Sequence, residues 1–62
     1  MENQDERAEL EHTFKNHLSV IAGFSDMLLL DLPPADPARE SVQEIRRAAR
    51  SALDLIPRLL DA

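Results

Sequence analysis

The stretch Leu32-Pro33-Pro34-Ala35-Asp36-Pro37 decides the fold, because it is the only strong helix breaker in this 62-residue chain. Before it, from about residue 3 to residue 31, there is no proline and a single glycine, which predicts one long helix. After it, a second helix is predicted over about 37–61, interrupted in its last turns only by Pro57. The chain therefore reads as all-α, with two helices joined by a stiff connection.

The connection itself carries start signals for the second helix. Asp36 is a suitable N-cap, and Pro37 is suited to the first helical position because its missing N–H is not needed there. The loop is then short, about residues 32–36, so the helices must run antiparallel. We expect a helical hairpin that forms a single domain over residues 1–62.

Composition excludes several classes of protein. The chain has 12 acidic and 7 basic residues, a formal charge of −5, and no cysteine. It cannot form disulfides, and it lacks the basic surface that non-specific nucleic-acid binding requires. Its first residues do not resemble a signal peptide, and its longest apolar run, Met27 to Leu30, is too short to span a bilayer. We expect a cytoplasmic protein without direct membrane insertion.

Apolar residues cover more of each helix than one partner helix can bury. At 100° per residue they span roughly 200° of the first helix and roughly 160° of the second. A chain this short also rarely stabilises itself as a monomer. We therefore predict a homodimeric antiparallel four-helix bundle. The expected dimer core consists of Phe14, His17, Ile21, Phe24, Leu28, Ile45, Ala49, Ala52 and Ile56.

The polar residues of both helices are interpreted first as solvated. Asp26 and Asp31 fall on the polar side of the first helix. The arginines of the second helix fall opposite its apolar stripe, with Arg46 and Arg50 one turn apart. The minority interpretation is that Arg46 and Arg50 help to dock an acidic partner.

The two histidines have opposite surroundings. His17 falls within the apolar arc, which favours a core or interface role. His12 falls on the polar side, about 160° from Leu10 and Leu28. By composition alone it would be an ordinary surface residue, although a neutral imidazole at such a position is an available nucleophile.

The neighbours of His12 change that interpretation. The sequence from His12 reads His-Thr-Phe-Lys-Asn16, followed by an apolar segment and Gly23-Phe24. This resembles the H-box of the dimerisation and histidine-phosphotransfer domain of two-component sensor histidine kinases, in the branch with an H-D-F-N-N-type box. The paired alanines, Ala48 and Ala49, and the apolar spacing in 42–53 are similar to the second helix of that family. The resemblance covers about residues 8–61.

The resemblance implies a function and a set of site residues. His12 would be the phosphoacceptor and would pass its phosphoryl group to an aspartate of a response-regulator receiver domain. Asn16 and Thr13 would complete the catalytic positions. Apart from the resemblance, the residues expected to bind a partner are Ser19, Gly23, Arg46 and Arg50.

The chain has no phosphate-binding loop of its own, since its single glycine lies within a helix. We expect it to bind no cofactor, so ATP and magnesium would enter only through a separate histidine-kinase catalytic ATPase domain. Thr13 departs from the family pattern, which has an acidic residue there to orient the imidazole and accept its proton. Two alternatives stay open. One is a dimeric relative that binds a receiver or kinase without being phosphorylated, and the other is an unrelated structural or adaptor dimer.

Overall fold

A computed structural model describes the backbone of residues 2–61 and the side chains of residues 5–59. Helix α1 comprises Glu2–Asp31 and helix α2 comprises Ala38–Asp61, and the described part contains no strand. The two helices pack antiparallel as a rod whose principal extents are 52 × 18 × 11 Å. The all-α hairpin predicted from the sequence is therefore confirmed. Helix α1 begins one residue earlier than expected, and α2 begins one residue later.

The loop is built from the residues that break the helix. The N–H of Leu32 still donates to the Leu28 carbonyl at 2.8 Å, and a turn then follows in which the Asp36 N–H donates to the Pro33 carbonyl at 3.0 Å. One carboxylate oxygen of Asp36 accepts the N–H of Ala38 at 2.9 Å. Asp36 is thus the N-cap of α2, as predicted.

The seam between the helices is lined by small side chains. Ala22 and Ser25 of α1 and Val42 and Ala49 of α2 are each between 3% and 8% exposed. The Ser25 hydroxyl donates to the Ile21 carbonyl of its own helix at 2.7 Å, so it is buried without an unsatisfied polar group. No large side chain among the described residues is fully buried. The hairpin consequently has a thin interior.

Arg39 joins the beginning of α2 to the end of α1. One Nη of its guanidinium donates to the Leu29 carbonyl at 2.7 Å and to the Leu32 carbonyl at 3.2 Å. The last carbonyls of a helix have no partner within the helix and carry partial negative charge, so a cation there is favourable. The expectation that the arginines of α2 form a solvated face is therefore wrong for Arg39, which is half-buried.

Polar bonds between the helices are confined to the half of the hairpin near the loop. Within the described residues, they join positions 26–32, at the end of α1 and the start of the loop, to positions 39–50 of α2. In the half that contains His12, the helices meet instead through apolar side chains such as Leu18 and Ile56. Neither described helix contains a segment long and apolar enough to cross a membrane.

Candidate functional site

His12 and Asn16 lie on one exposed row of α1. Both side chains are exposed, and a separation of four residues places them one turn apart on the same side of the helix. Ser19 and Gly23 continue the row towards the loop, and both are exposed. The structure thus brings together four of the predicted site residues. We call the row His12, Asn16, Ser19 and Gly23 the His12 face.

Thr13 is not part of this face. It follows His12 directly, so its side chain leaves the helix about 100° further round. Its hydroxyl donates to the Glu9 carbonyl at 2.9 Å. A hydroxyl bonded in this way satisfies its own helix and is turned away from the imidazole. The nearest acidic neighbour in sequence, Glu11, is paired with Lys15 at 3.3 Å.

Gly23 is an open point on the His12 face. A Cβ added there would meet nothing within 4 Å, and the residue does not adopt a positive φ. Neither packing within the hairpin nor backbone conformation therefore requires glycine at this position. Its small size leaves space on the surface that another molecule could occupy.

Asp26 bridges the helices beside this face. Its carboxylate accepts a hydrogen bond from Nε of Arg46 and another from Nη2 of Arg50, the latter at 3.1 Å. The Arg46 hydrogen bond is the main cause that lowers the pKa of Asp26, and the charges of both arginines add to it against partial desolvation. The interpretation of Asp26 as a merely solvated carboxylate is therefore wrong.

An open groove of about 430 Å³ runs along α2 next to this bridge. Three arginines line it, and one of them, Arg47, also pairs with Glu44 of its own helix. Arg46 and Arg50, which were predicted to bind a partner, are thus close together and held by Asp26. The lining residues are Gln43, Arg46, Arg47, Arg50, Ser51 and Asp54.

The opposite flank of the hairpin is an uncovered apolar surface that both helices share. Phe14 and Phe24 are 59% and 60% exposed, although phenylalanine is usually buried in a folded protein. Shallow apolar grooves of about 300 Å³ and 280 Å³ cross from α1 to α2 on this side. We call this surface the apolar face. Its exposed large residues are Leu10, Phe14, Ile21, Phe24, Leu28, Ile45, Leu55 and Leu59.

The residues expected in a dimer core divide into two groups. Ala49 lies in the seam within one hairpin, and Ala52 and Ile56 are half-buried at its edge. The other six, His17 among them, are exposed on or beside the apolar face. A helical wheel does not separate these groups, because the apolar arc is wide enough to serve the seam and the free surface together.

The exposed surface of the chain is large for its mass. Its accessible area is 5227 Å², whereas a folded monomer of 7.0 kDa is expected to expose about 4,000 Å². The excess is roughly 1,200 Å², which is more than the roughly 800 Å² that each partner contributes to a standard protein interface. An elongated rod accounts for some excess, and the phenylalanines and leucines of the apolar face account for its chemical character.

Comparison with protein-family models, with curated proteins and with solved structures finds no match to this chain. Within the described residues, no group of three or more His, Cys, Asp or Glu side chains is arranged to hold a metal ion. The two flanks of the hairpin and the residues on them are therefore the features that bear on function.

Proposed function

We propose that this chain is a homodimeric histidine-phosphotransfer module of cytoplasmic two-component signalling. In this proposal two hairpins associate through their apolar faces into an antiparallel four-helix bundle. His12 accepts a phosphoryl group from ATP bound by a separate catalytic domain and passes it to an aspartate of a receiver domain.

The area and chemistry of the apolar face support the proposed dimer. Fully burying one exposed Leu, Ile or Phe side chain contributes about 1.5–3 kcal/mol. Eight such residues lie on one flank of a hairpin whose own buried side chains are small. If two hairpins are related by a two-fold axis beside this flank, the apolar face of one packs against the apolar face of the other. A second copy of the chain is then sufficient to bury the surface.

The observation that carries the phosphotransfer proposal is the position of His12 relative to the apolar face. The centre of that face on α1, marked by Leu28, lies about 160° around the helix from His12. Association through the apolar face would therefore leave the imidazole and Asn16 accessible on the outside of the bundle. A phosphoacceptor that two other domains must reach in turn needs this access.

The proposed reaction consists of two phosphoryl transfers. A lone-pair nitrogen of the neutral His12 imidazole attacks the γ-phosphorus of ATP, an N–P bond forms, the P–O bond to ADP breaks, and the ring proton leaves to solvent. In transfer, an aspartate oxygen of the receiver attacks the same phosphorus. The N–P bond then breaks, and the imidazole regains a proton. Asn16, one turn away, can donate an amide hydrogen bond to a phosphoryl oxygen or orient a water molecule.

The decisive experiment uses labelled ATP and a supplied histidine-kinase catalytic domain. We expect acid-labile phosphate on the intact chain and none on His12→Gln, with the helical content of the two proteins equal. His17→Gln is the matched control, because it makes the same change on the apolar face, and it should retain the label. Labelled protein mixed with a receiver domain should lose phosphate to it. Label that persists in His12→Gln would overturn the proposal.

One observation favours a second candidate, a dimer that binds a receiver or kinase without being phosphorylated. The Thr13 hydroxyl is occupied by the Glu9 carbonyl, so the position beside His12 offers no base. This candidate predicts receiver binding by the intact chain and by His12→Gln alike, with no phosphate on either. An unrelated structural dimer would bind no receiver.

A further inference from the structure

We propose that the groove lined by Arg46, Arg47 and Arg50 docks a carboxylate-bearing surface of a partner protein, and that Asp26 competes with that surface for Arg46 and Arg50. The expectation that a partner binds at this groove rests on the proposed function, because the groove adjoins the His12 face. The chemistry of the partner and the role of Asp26 are read from the groove itself.

Arg46 and Arg50 retain much of their hydrogen-bonding capacity. A guanidinium has five N–H donors, and among the described residues Arg46 uses its Nε and Arg50 uses one Nη on Asp26. Both side chains are about half exposed, at 41% and 51%. The planar fork of an arginine suits a carboxylate that approaches from solvent. A second carboxylate can therefore bind beside Asp26 or replace it.

The surroundings of the groove favour a protein as the occupant. Leu30 lies one turn from Asp26 on the same side of α1, and it is 86% exposed. Arginine is enriched at protein–protein interfaces, where it lies beside apolar groups.

Asp26 restricts which partners can bind to the arginines of the groove. It neutralises part of the charge of the arginine pair and holds both side chains against the hairpin. A partner without carboxylates at the matching positions would leave this bridge undisturbed and gain nothing from the arginines. A partner with them gains hydrogen bonds only to the extent that it outcompetes Asp26. Asp26 is thus a specificity-determining residue.

The test measures binding of a fluorescent hexaglutamate peptide by anisotropy at low salt. Removing the competitor in Asp26→Asn should tighten binding about fivefold, the upper end expected for an exposed ion pair. Asp31→Asn is the matched control, because it removes the same charge outside the groove. It should change binding less than twofold. The double variant Arg46→Ala/Arg50→Ala should lose binding, whereas Arg58→Ala should retain it.

A second measurement avoids dependence on variants that alter folding. In the intact chain, the Nε–Hε nuclear magnetic resonance signals of Arg46 and Arg50 should shift on peptide addition, and that of Arg58 should not. Equal affinity of Asp26→Asn and Asp31→Asn, or shifts spread over all arginines, would overturn this proposal. His12→Gln should bind the peptide normally. Failure of His12 phosphorylation would therefore overturn the proposed function and leave the role of Asp26 standing.

Discussion

Arg39 at the start of α2 donates a 2.7 Å hydrogen bond to the carbonyl of Leu29 in the last turn of α1. The same nitrogen also reaches the Leu32 carbonyl, so one side chain closes both the helix end and the loop. The loop is therefore held by a charged group as well as by its prolines.

Replacing Arg39 should destabilise the hairpin more than replacing an exposed arginine of the same helix. Arg39→Ala leaves the carbonyls at the end of α1 without their donor, and we expect the free energy of unfolding to fall by about 1–2 kcal/mol. Arg58→Ala, on the same helix and exposed, should change it by less than about 0.5 kcal/mol. Urea unfolding followed by circular dichroism measures both. Equal effects would show that the hydrogen bonds of Arg39 contribute nothing.

The Asp26 bridge should make stability depend on pH in a defined direction. The folded-state pKa of Asp26 lies below the ordinary value of 3.8, mainly because Arg46 donates a hydrogen bond to it. Its contribution is therefore complete above about pH 3.8 and is lost as pH falls through the lower, folded-state pKa. The difference in unfolding free energy between the intact chain and Asp26→Asn should be constant near neutral pH and should shrink in acid. A difference that does not change with pH would contradict this assignment.

Association through the apolar face can be tested with two neighbouring residues. Ile21 lies on that face and Val20 lies outside it, yet both are about half exposed, at 44% and 55%. Ile21→Asp should abolish the dimer and lower helicity, because it would bury an unpaired charge at the interface. Val20→Asp should leave the dimer intact. Sedimentation at micromolar concentration separates the outcomes, and the melting temperature of the intact chain should rise with concentration.

The position beside His12 should limit the rate of phosphorylation. Thr13→Glu replaces a hydroxyl engaged with the Glu9 carbonyl by a carboxylate that can accept a proton. We expect phosphorylation by a supplied catalytic domain to accelerate by about 10–100-fold, at or just below the low end of typical general-base contributions. Thr13→Gln is the control of equal length without a base and should give no gain. If both variants react at the rate of the intact chain, proton removal does not limit the reaction.

Glycine at position 23 should make the hairpin less stable than alanine would at the same position. Gly23→Ala adds a methyl group into open space and removes the helical cost of glycine, which should stabilise the chain by about 1 kcal/mol. Thermal unfolding at fixed protein concentration measures the gain. Ser19→Ala serves as a control for a change on the same face with a smaller gain in helix propensity. A loss of stability would mean that Gly23 is packed in a way the open space does not indicate.

The sequence was informative about the elements and less so about which side chains meet. The proline-rich connection and the Asp36 cap predicted the hairpin, because breakers and caps act locally. The seam was harder to predict. It selects residues for small size, so Ser25 is buried while Phe24 beside it is exposed. Apolar character, the quantity that a helical wheel uses, does not distinguish these two requirements.

The predicted site residues show the same limit. His12, Asn16, Ser19 and Gly23 share a face because their spacing alone places them there. Asp26 was missed, since its role depends on arginines 20 and 24 residues away along the chain. The sequence does show two arginines one turn apart on the other helix. Their pairing with Asp26 can be predicted only when the alignment of the two antiparallel helices is known.

The uneven distribution of polar bonds along the hairpin has a mechanical consequence. Near the loop, directional hydrogen bonds from Arg39 and Arg46 define a single register of one helix against the other. Around His12 the described contacts between helices are apolar and non-directional, so they tolerate small rotations at little cost. We therefore expect the open end of the rod, which contains His12, to twist more readily than the loop end.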